Sequence, residues 1–587
     1  MSVDSKSRTT LIFLFFFSSG FAALLYQIVW LKYLNLLFGS TTFATAAVLS
    51  AFMFGLSLGS WLASKFPKLY SSSLRSYGLI EMGVGVFAVL FPHIYSSLKI
   101  PFSVVFNIAG PESFWYNVAA FAIAFLVLAI PTALMGATLP LLGHSLVKQD
   151  QPVSAPIGLL YGINTAGAVA GIICSAFLLI PYLGLNATIY VGVIINCTVG
   201  LICFLLGSSA RNPIPEKGES GRSQRYLLWL YTFSGFLAIA YEVFWTRILV
   251  LHLGSSVYAY AIMLAVFLLG ISIGSYLSGK LLQHTQRPLT SIFGWIQIAW
   301  AFSILIQIIQ FTKLSDTLFF LASRFDRLDI TTHFIVLFLG SLQVLLLPTI
   351  LSGALFPTVV KHLWNAGIPI QRTISLAYSY NTVGGILGSL AAGFLLIPAI
   401  GTQDSLIVAA ALNLVLGVIS LSKTKGTKLR LVQILSVLIF VSAAFLISKS
   451  FQVLQSAGIF QMEGSEELIH LEEDIAATVT VEQRSYMNLN YRSLSINGVN
   501  VAGSSPSLVA IQKMQGNLPM ALFGPIKNKH VLHIGFGSGG TAYAVSLYPN
   551  TKITVVELSR SVVRNADQYF RSENHGVVHS SNTEFIY

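Results

Sequence analysis

One block of sequence occurs twice in this chain at a nearly constant distance. Ser19-Gly20-Phe21 and Tyr26-Gln27-Ile28-Val29-Trp30 return 215 residues later as Ser234-Gly235-Phe236 and Tyr241-Glu242-Val243-Phe244-Trp245. Gly55 through Ser60 returns as Gly270 through Ser275, and Pro131-Thr132, Gly136 and Pro140 return as Pro348-Thr349, Gly353 and Pro357. Tyr161, Asn164, Thr165, Gly167 and Gly171 return as Tyr378, Asn381, Thr382, Gly384 and Gly388. The offset drifts only from 215 to 217, so few insertions separate the copies. A duplicated apolar unit of this size predicts a membrane body built from repeats.

Of the 587 residues, 55% are hydrophobic and 10% charged, against about 25% charged in an ordinary soluble domain. Much of the surface must therefore face lipid, and the bilayer is the first expected partner. The net charge of +12 does not point to nucleic acid, because Lys and Arg collect in short segments between apolar spans. Cys174, Cys197 and Cys203 fall inside those spans without metal-ligand spacing. They read as packing residues, and no metal is expected. The apolar stretch from Leu11 lacks a small-residue cleavage site and reads as a retained helix.

Runs of about 20 apolar residues can cross a bilayer as helices. Six such spans fall in residues 1–208 and six in 225–423, joined by a cytoplasmic linker at 209–224, and a thirteenth lies in 424–449. An even number per copy makes the repeats parallel, related by an axis along the membrane normal. With the N-terminus inside, the inner segments carry eighteen Lys and Arg residues and the outer ones six. That ratio predicts a cytoplasmic N-terminus in the cell (plasma or inner) membrane, with residues after 450 outside. The parallel six-plus-six arrangement resembles the major facilitator superfamily. Gly59 through Lys65 and Gly274 through Lys280 echo that family's glycine-and-basic inner loop, without its acidic residue.

From about Ser450 the composition turns polar. Residues 450–467 read as a linker and 468–528 as a β-hairpin region followed by a helix. His470 to Gln483 and Tyr491 to Val501 are expected strands, with Asn497-Gly498 as a turn. Residues 529–587 read as strand, glycine loop, helix, strand, helix, which is the opening of a Rossmann-like α/β domain ending before a third strand. The fold class expected overall is an α-helical multi-pass membrane domain followed by this partial α/β domain.

The sharpest chemical signal is His530-Val531-Leu532-His533-Ile534-Gly535-Phe536-Gly537-Ser538-Gly539-Gly540 with Glu557. Glycines between strand and helix let the backbone approach a ligand, and an acid about 20 residues on suits two ribose hydroxyls. Asn497-Gly498-Val499, Gln512-Lys513-Met514, Leu518-Pro519, Val531 through Gly540 and Glu557 together resemble the spermidine synthase family of polyamine aminopropyltransferases. The resemblance covers roughly 468–587. It implies S-adenosylmethionine or its decarboxylated form as cofactor, a nucleoside-type ligand held by Gly535, Gly537, Ser538, Gly539, Gly540, Glu557 and Gln512, and aminopropyl transfer as the reaction class. Ser538 stands where the family's nucleotide loop has an Asp. Ser507, Leu508, Ile511 and Lys513 stand at its acidic and tyrosine substrate positions. Its catalytic residues correspond to sequence beyond Tyr587, so the domain reads as truncated, and enzymatic activity is left undecided. A polyamine pocket needs carboxylates to offset the desolvation of ammonium groups. The alternative reading is a transporter whose soluble domain is a non-catalytic sensor.

Within the membrane the polar candidates are Gln27, Glu81, Glu242, Arg247, Asn164 and Asn381. A carboxylate is costly to bury ionised, so Glu242 and Glu81 are candidates for binding a cation or a proton. The competing reading pairs Glu242 with Arg247, or sets it at an outer aromatic belt beside Trp245. Asn164 and Asn381 either line a polar cavity or hold helices together. The sequence says nothing of the oligomeric state.

Overall fold

The computed structural model describes residues 5–38, 42–110, 114–147, 153–207, 222–254, 256–325, 327, 329–422, 427–450, 467–474, 477–486, 489–524 and 528–587. The expected linkers at 209–224 and 450–467 lie almost wholly outside the described residues.

The first copy forms α1 (Ser5–Phe38), α2 (Thr42–Lys65), α3 (Ser73–Ala109), α4 (Phe114–Leu146), α5 (Ser154–Cys174) and α6 (Ile180–Leu206). The second forms α7 (Arg222–Leu253), α8 (Val257–Leu282), α9 (Leu289–Thr312), α10 (Leu314–Ala322), α11 (Ile330–Gly353), α12 (Leu355–Asn365), α13 (Ile370–Ala391) and α14 (Ile397–Leu421), and α15 (Thr427–Ser450) follows. Among the described residues, eleven stretches are long and apolar enough to span a bilayer. Two of these, Ser154–Leu206 and Ile370–Leu421, each turn back at a glycine and hold two helices. The turns are Gly184 (φ 79°) and Gly401 (φ 76°), a left-handed conformation that glycine adopts without a Cβ clash.

The duplication extends to backbone detail. A π-helical turn at Ser175–Leu179 recurs at Ala392–Leu396. A Cβ on Gly59 would meet the Ala133 carbonyl oxygen at 1.7 Å, and one on Gly274 the Ile350 carbonyl oxygen at 2.0 Å, so α2 packs on α4 as α8 packs on α11, backbone against backbone. The halves meet along two seams, α5 with α8 and α13 with α2. On the first, Ser272 Oγ donates to the Gly162 carbonyl at 2.7 Å; on the second, Ser379 Oγ donates to the Ser57 carbonyl at 3.2 Å. By contrast α15 is only 11% buried and lies against α9 and α14.

Beyond the helices, β1 (Glu467–Glu473), β2 (Thr478–Tyr486), β3 (Leu489–Ile496) and β4 (Val499–Gly503) form an antiparallel sheet in sequence order. The expected single strand from His470 to Gln483 is two strands. Asp474 ends the first of them, its Oδ1 accepting the Ala477 N–H at 2.7 Å just before the second begins. Asn497 (φ 48°) and Gly498 (φ 81°) make the β3–β4 turn with both φ values positive. Then come α16 (Pro506–Leu522), β5 (Lys529–Ile534), α17 (Gly540–Ser546), β6 (Thr551–Val556), α18 (Arg560–Tyr569) and β7 (Thr583–Ile586). Strands β5, β6 and β7 form a parallel sheet in that order. The third strand was expected to be absent; at four residues, directly after Ser-Ser-Asn, it is too short for alternation to announce it. Val479, Val481, Leu494 and Ala502 of the antiparallel sheet share a core with Val562 and Phe570, which fixes that sheet on the α/β region.

Candidate nucleoside site and intramembrane polar residues

The glycine loop lies where β5 ends, beside the end of β6. Gly535 (φ 79°), Gly537 (φ 58°) and Gly539 (φ 85°) all take left-handed conformations, and a Cβ on Gly539 would meet the Phe536 ring at 2.6 Å. Glu557, 7% exposed, turns its carboxylate into this loop. Its Oε2 accepts the Phe536 N–H at 2.7 Å and its Oε1 the Ser559 N–H at 3.2 Å. Gln512 of α16 closes the other side: its Oε1 accepts the Ser538 hydroxyl at 2.7 Å, and a Cβ on Gly540 would meet it at 2.5 Å. Asn574 supports the loop from behind, donating from Nδ2 to the Ser538 carbonyl at 3.0 Å. The structure thus brings together Gly535, Gly537, Ser538, Gly539, Gly540, Gln512 and Glu557. Ser507, Ile511 and Lys513 stay exposed along α16 and bring no carboxylate to the loop.

Three consecutive acids at the end of β1 tie this region to its surroundings. Glu472 accepts hydrogen bonds from Arg564 and from Asn565 Nδ2 of α18. Glu473 accepts from the N–H and hydroxyl of Thr402, at the start of α14 proper after the Gly401 turn. Asp474 Oδ2 accepts the Ser559 and Ser561 hydroxyls at 2.7 Å each, while its carbonyl accepts from Arg247 near the end of α7. Arg247 to Asp474, Ser559 and Glu557 is therefore a continuous bonded path from a membrane helix to the glycine loop. Sequence reasoning missed Asp474, Ser559 and Thr402. The run Glu472-Glu473-Asp474 was the available signal, since three charges in a row suit a strand only when something pairs with them.

Inside the membrane body both repeats place polar side chains at equivalent positions, but among the described residues only the first joins them into one network. In the first copy Glu81 accepts the Ser19 hydroxyl at 2.5 Å and the Asn196 amide at 2.5 Å, and the Tyr26 hydroxyl donates to Asn196 Oδ1 at 3.1 Å. In the second, Gln297 Nε2 donates to Ser234 Oγ at 2.8 Å and Asn413 Nδ2 to the Tyr241 hydroxyl at 2.9 Å. Glu81 is thus fully engaged in joining α1, α3 and α6. At Asn164 and Asn381 the helices approach closely: a Cβ on Gly20 or Gly235 would meet their backbone carbonyl oxygens at 2.0 and 2.1 Å. Trp30 and Trp245 are fully buried, stacked on Tyr26 and Tyr241 with ring centroids 5.2 and 5.6 Å apart. Neither tryptophan therefore forms an outer aromatic belt, and Arg247 is turned to Asp474 rather than to Glu242. Glu242 is 2% exposed, and its Oε1 has no hydrogen-bond partner among the described residues.

No family model matches the chain. A curated polyamine aminopropyltransferase of Oceanobacillus iheyensis is 24% identical over 355 residues, covering 59% of this chain and 63% of the relative. The chain thus spans less than two thirds of the relative's length. The matched stretch is longer than all that follows Ser450, so part of it falls on the membrane body. Among solved structures, the Escherichia coli fucose:proton symporter is 14% identical, with TM-score 0.43, covering 71% of this chain and 99% of the symporter. The human organic anion transporter MFSD10 is 13% identical, with TM-score 0.42, covering 70% and 98%. A bacterial homologue of the iron transporter ferroportin is 18% identical, with TM-score 0.43, covering 70% and 98%. The chain is a multi-pass, mostly helical membrane protein with a small sheet-containing C-terminal region.

Proposed function

We propose that the C-terminal region binds an S-adenosylmethionine-type nucleoside, the decarboxylated form included, with Glu557 taking the ribose hydroxyls and the glycine loop passing close beneath. The observation that carries this reading is the buried Glu557 carboxylate aimed at the loop. A carboxylate held by two backbone N–H groups is fixed in orientation, which suits its remaining lone pairs to accept from a vicinal diol. Similarity to a polyamine aminopropyltransferase supports the same ligand class. The reaction class is polyamine-related aminopropyl transfer. Ser507, Leu508, Ile511 and Lys513 give no negative charge to hold a polyamine, so nucleoside binding is the part of that chemistry assigned to these residues.

The region belongs on the side of the membrane opposite the N-terminus. Its contacts are with the far end of α7 and the adjoining start of α14, away from the inner segments that hold most of the basic residues. Calorimetric titration of the full chain in lipid nanodiscs with S-adenosylmethionine, its decarboxylated form and methylthioadenosine tests the ligand. We expect binding by wild type and at least about tenfold weaker binding by Glu557→Ala, given the strength of charge-assisted hydrogen bonds. Equal affinity in the two proteins would remove Glu557 from the site.

A further inference from the structure

We propose that the amino-terminal ends of β5 and β6 form a binding site for a phosphate group, free or carried on a small hydroxyl-bearing molecule. A cleft of about 540 Å³ opens there, lined by the first residues of both strands, the turn from α17 into β6 and the segment leading into β7. That volume lies in the range of small-molecule pockets, about 300–1,000 Å³. The glycine loop and Glu557 lie at the other end of the same strands. Five steps of about 3.3 Å along β6 put roughly 17 Å between the two ends. The cleft is therefore a second site, and it does not rest on the nucleoside reading.

Lysines and neutral polar side chains dominate the lining, and no Asp or Glu is among them. Lys529 opens β5 and pairs in register with Thr551, which opens β6. The two stand side by side on the sheet face that packs against α17. Thr551 is 4% exposed, and its hydroxyl has no hydrogen-bond partner among the described residues. A buried hydroxyl left in that state is costly, and a bound acceptor removes the cost. Lys529 Nζ lies 5.5 Å from the centroid of the Tyr548 ring, which keeps the ammonium at the cleft wall. The ring is itself fixed, since the Tyr548 hydroxyl donates to Asn517 Oδ1 at 3.1 Å. His530 and Lys552, the next pair in register, supply the rim on the other face. Lys552 meets Glu584 at 2.9 Å, with both side chains more than half exposed. Such a pair contributes little, so an anion in the cleft can draw the ammonium away from it. Asn582 braces the third wall: its Nδ2 donates to the Thr551 carbonyl at 3.1 Å and its Oδ1 accepts the Ser580 hydroxyl at 2.7 Å. Asn528 (φ 58°) and Asn550 (φ 55°) hold left-handed conformations just before the two strands, and strain of this kind gathers at functional sites. Two ammonium groups suit a phosphate oxyanion, and the amides and hydroxyls around them suit the hydroxyl groups of what carries it. With no carboxylate in the lining, a cation has nothing to hold it.

The test is calorimetric titration of the full chain, in nanodiscs of zwitterionic lipid at fixed ionic strength, with inorganic phosphate, glycerol 3-phosphate and glycerol. We expect saturable binding of the phosphate compounds and none of glycerol. Tighter binding of glycerol 3-phosphate assigns the group to a phosphorylated small molecule, and equal or tighter binding of inorganic phosphate assigns it to the free ion. Lys529→Gln and Lys552→Gln together should weaken binding at least about tenfold, for the loss of two charged donors. Lys552→Gln alone keeps the contact between Lys529 and Tyr548, so it should weaken binding even if the double variant folds poorly. Lys313→Gln removes the same charge from an exposed position on the membrane body and should leave binding unchanged. The proposal is overturned if neither phosphate compound binds, or if glycerol binds as tightly as glycerol 3-phosphate. It is equally overturned if the variants at 529 and 552 bind like wild type, or if Lys313→Gln weakens binding as much as they do.

Discussion

Exchanging Glu81 for Gln is a substitution the second copy already carries at Gln297. Both side chains join α1-type and α3-type helices through a serine, Ser19 in one copy and Ser234 in the other. Glu81→Gln should therefore change stability by less than about 1 kcal/mol, the usual net worth of one hydrogen bond. Glu81→Leu strands the Ser19 hydroxyl and the Asn196 amide, at a cost of about 1–3 kcal/mol for each group. Unfolding temperatures of the two variants in nanodiscs check the ranking. The equivalence of positions 81 and 297 was legible from the offset alone. Their partners were not, because Ser19 and Asn196 lie 62 and 115 residues away in sequence and only helix packing selects them. For Glu242 the sequence left two readings open. What it could not show was that Arg247, five positions on, would turn to a segment 227 residues later.

Among the elements, β1 carries the most consequence per residue. Alternation along the strand sends Glu472 to α18 and Glu473 to α14, while Asp474 at the turn reaches both Ser559 and Arg247. Asp474→Ala leaves the Ser559 and Ser561 hydroxyls of a buried junction without their acceptor, which should cost about 1–3 kcal/mol. Faster proteolysis after α15 at a fixed protease dose would show it, and unchanged cleavage would count against the junction. Strand β5 brings a pH dependence. His533 is partly buried, its Nδ1 has no partner among the described residues, and burial pushes its pKa below the ordinary 6.5. A group whose pKa is lower in the folded state binds protons more readily when unfolded. Its contribution to stability is whole above pH 6.5 and is lost as pH falls toward the folded value. The protection factors of β5 amides, that is, the intrinsic exchange rate divided by the observed rate at each pH, should thus fall on going from neutral to acidic pH, and His533→Leu should flatten that change. The glycine loop and its acid were readable because each of their parts is local. The short β7 was not, since its identity comes from the partner strand β6.

For the whole molecule, the side of the membrane that holds the C-terminal region is the measurement with widest reach. A reporter that is active only in the cytoplasm, fused after Lys449, should be silent, and an active fusion would place the region inside. The two-copy plan was legible because insertions are few and small residues recur wherever helices touch closely. How the α/β region sits on it was not, because nothing in a repeat marks which copy will carry a third body. The hydrogen bonds to Arg247 and Thr402 attach that body to α7 and α14, both of the second copy. It is accordingly a rider on one half. Were the halves to rock against each other, as repeat-built membrane proteins do, the α/β region would travel with α7 and α14 while the first copy swung beneath it. A pair of dyes spanning the first copy and the α/β region would then read the tilt as a changing distance. A pair spanning the second copy and the α/β region would stay constant, giving the protein a pointer fixed to one arm of its own lever.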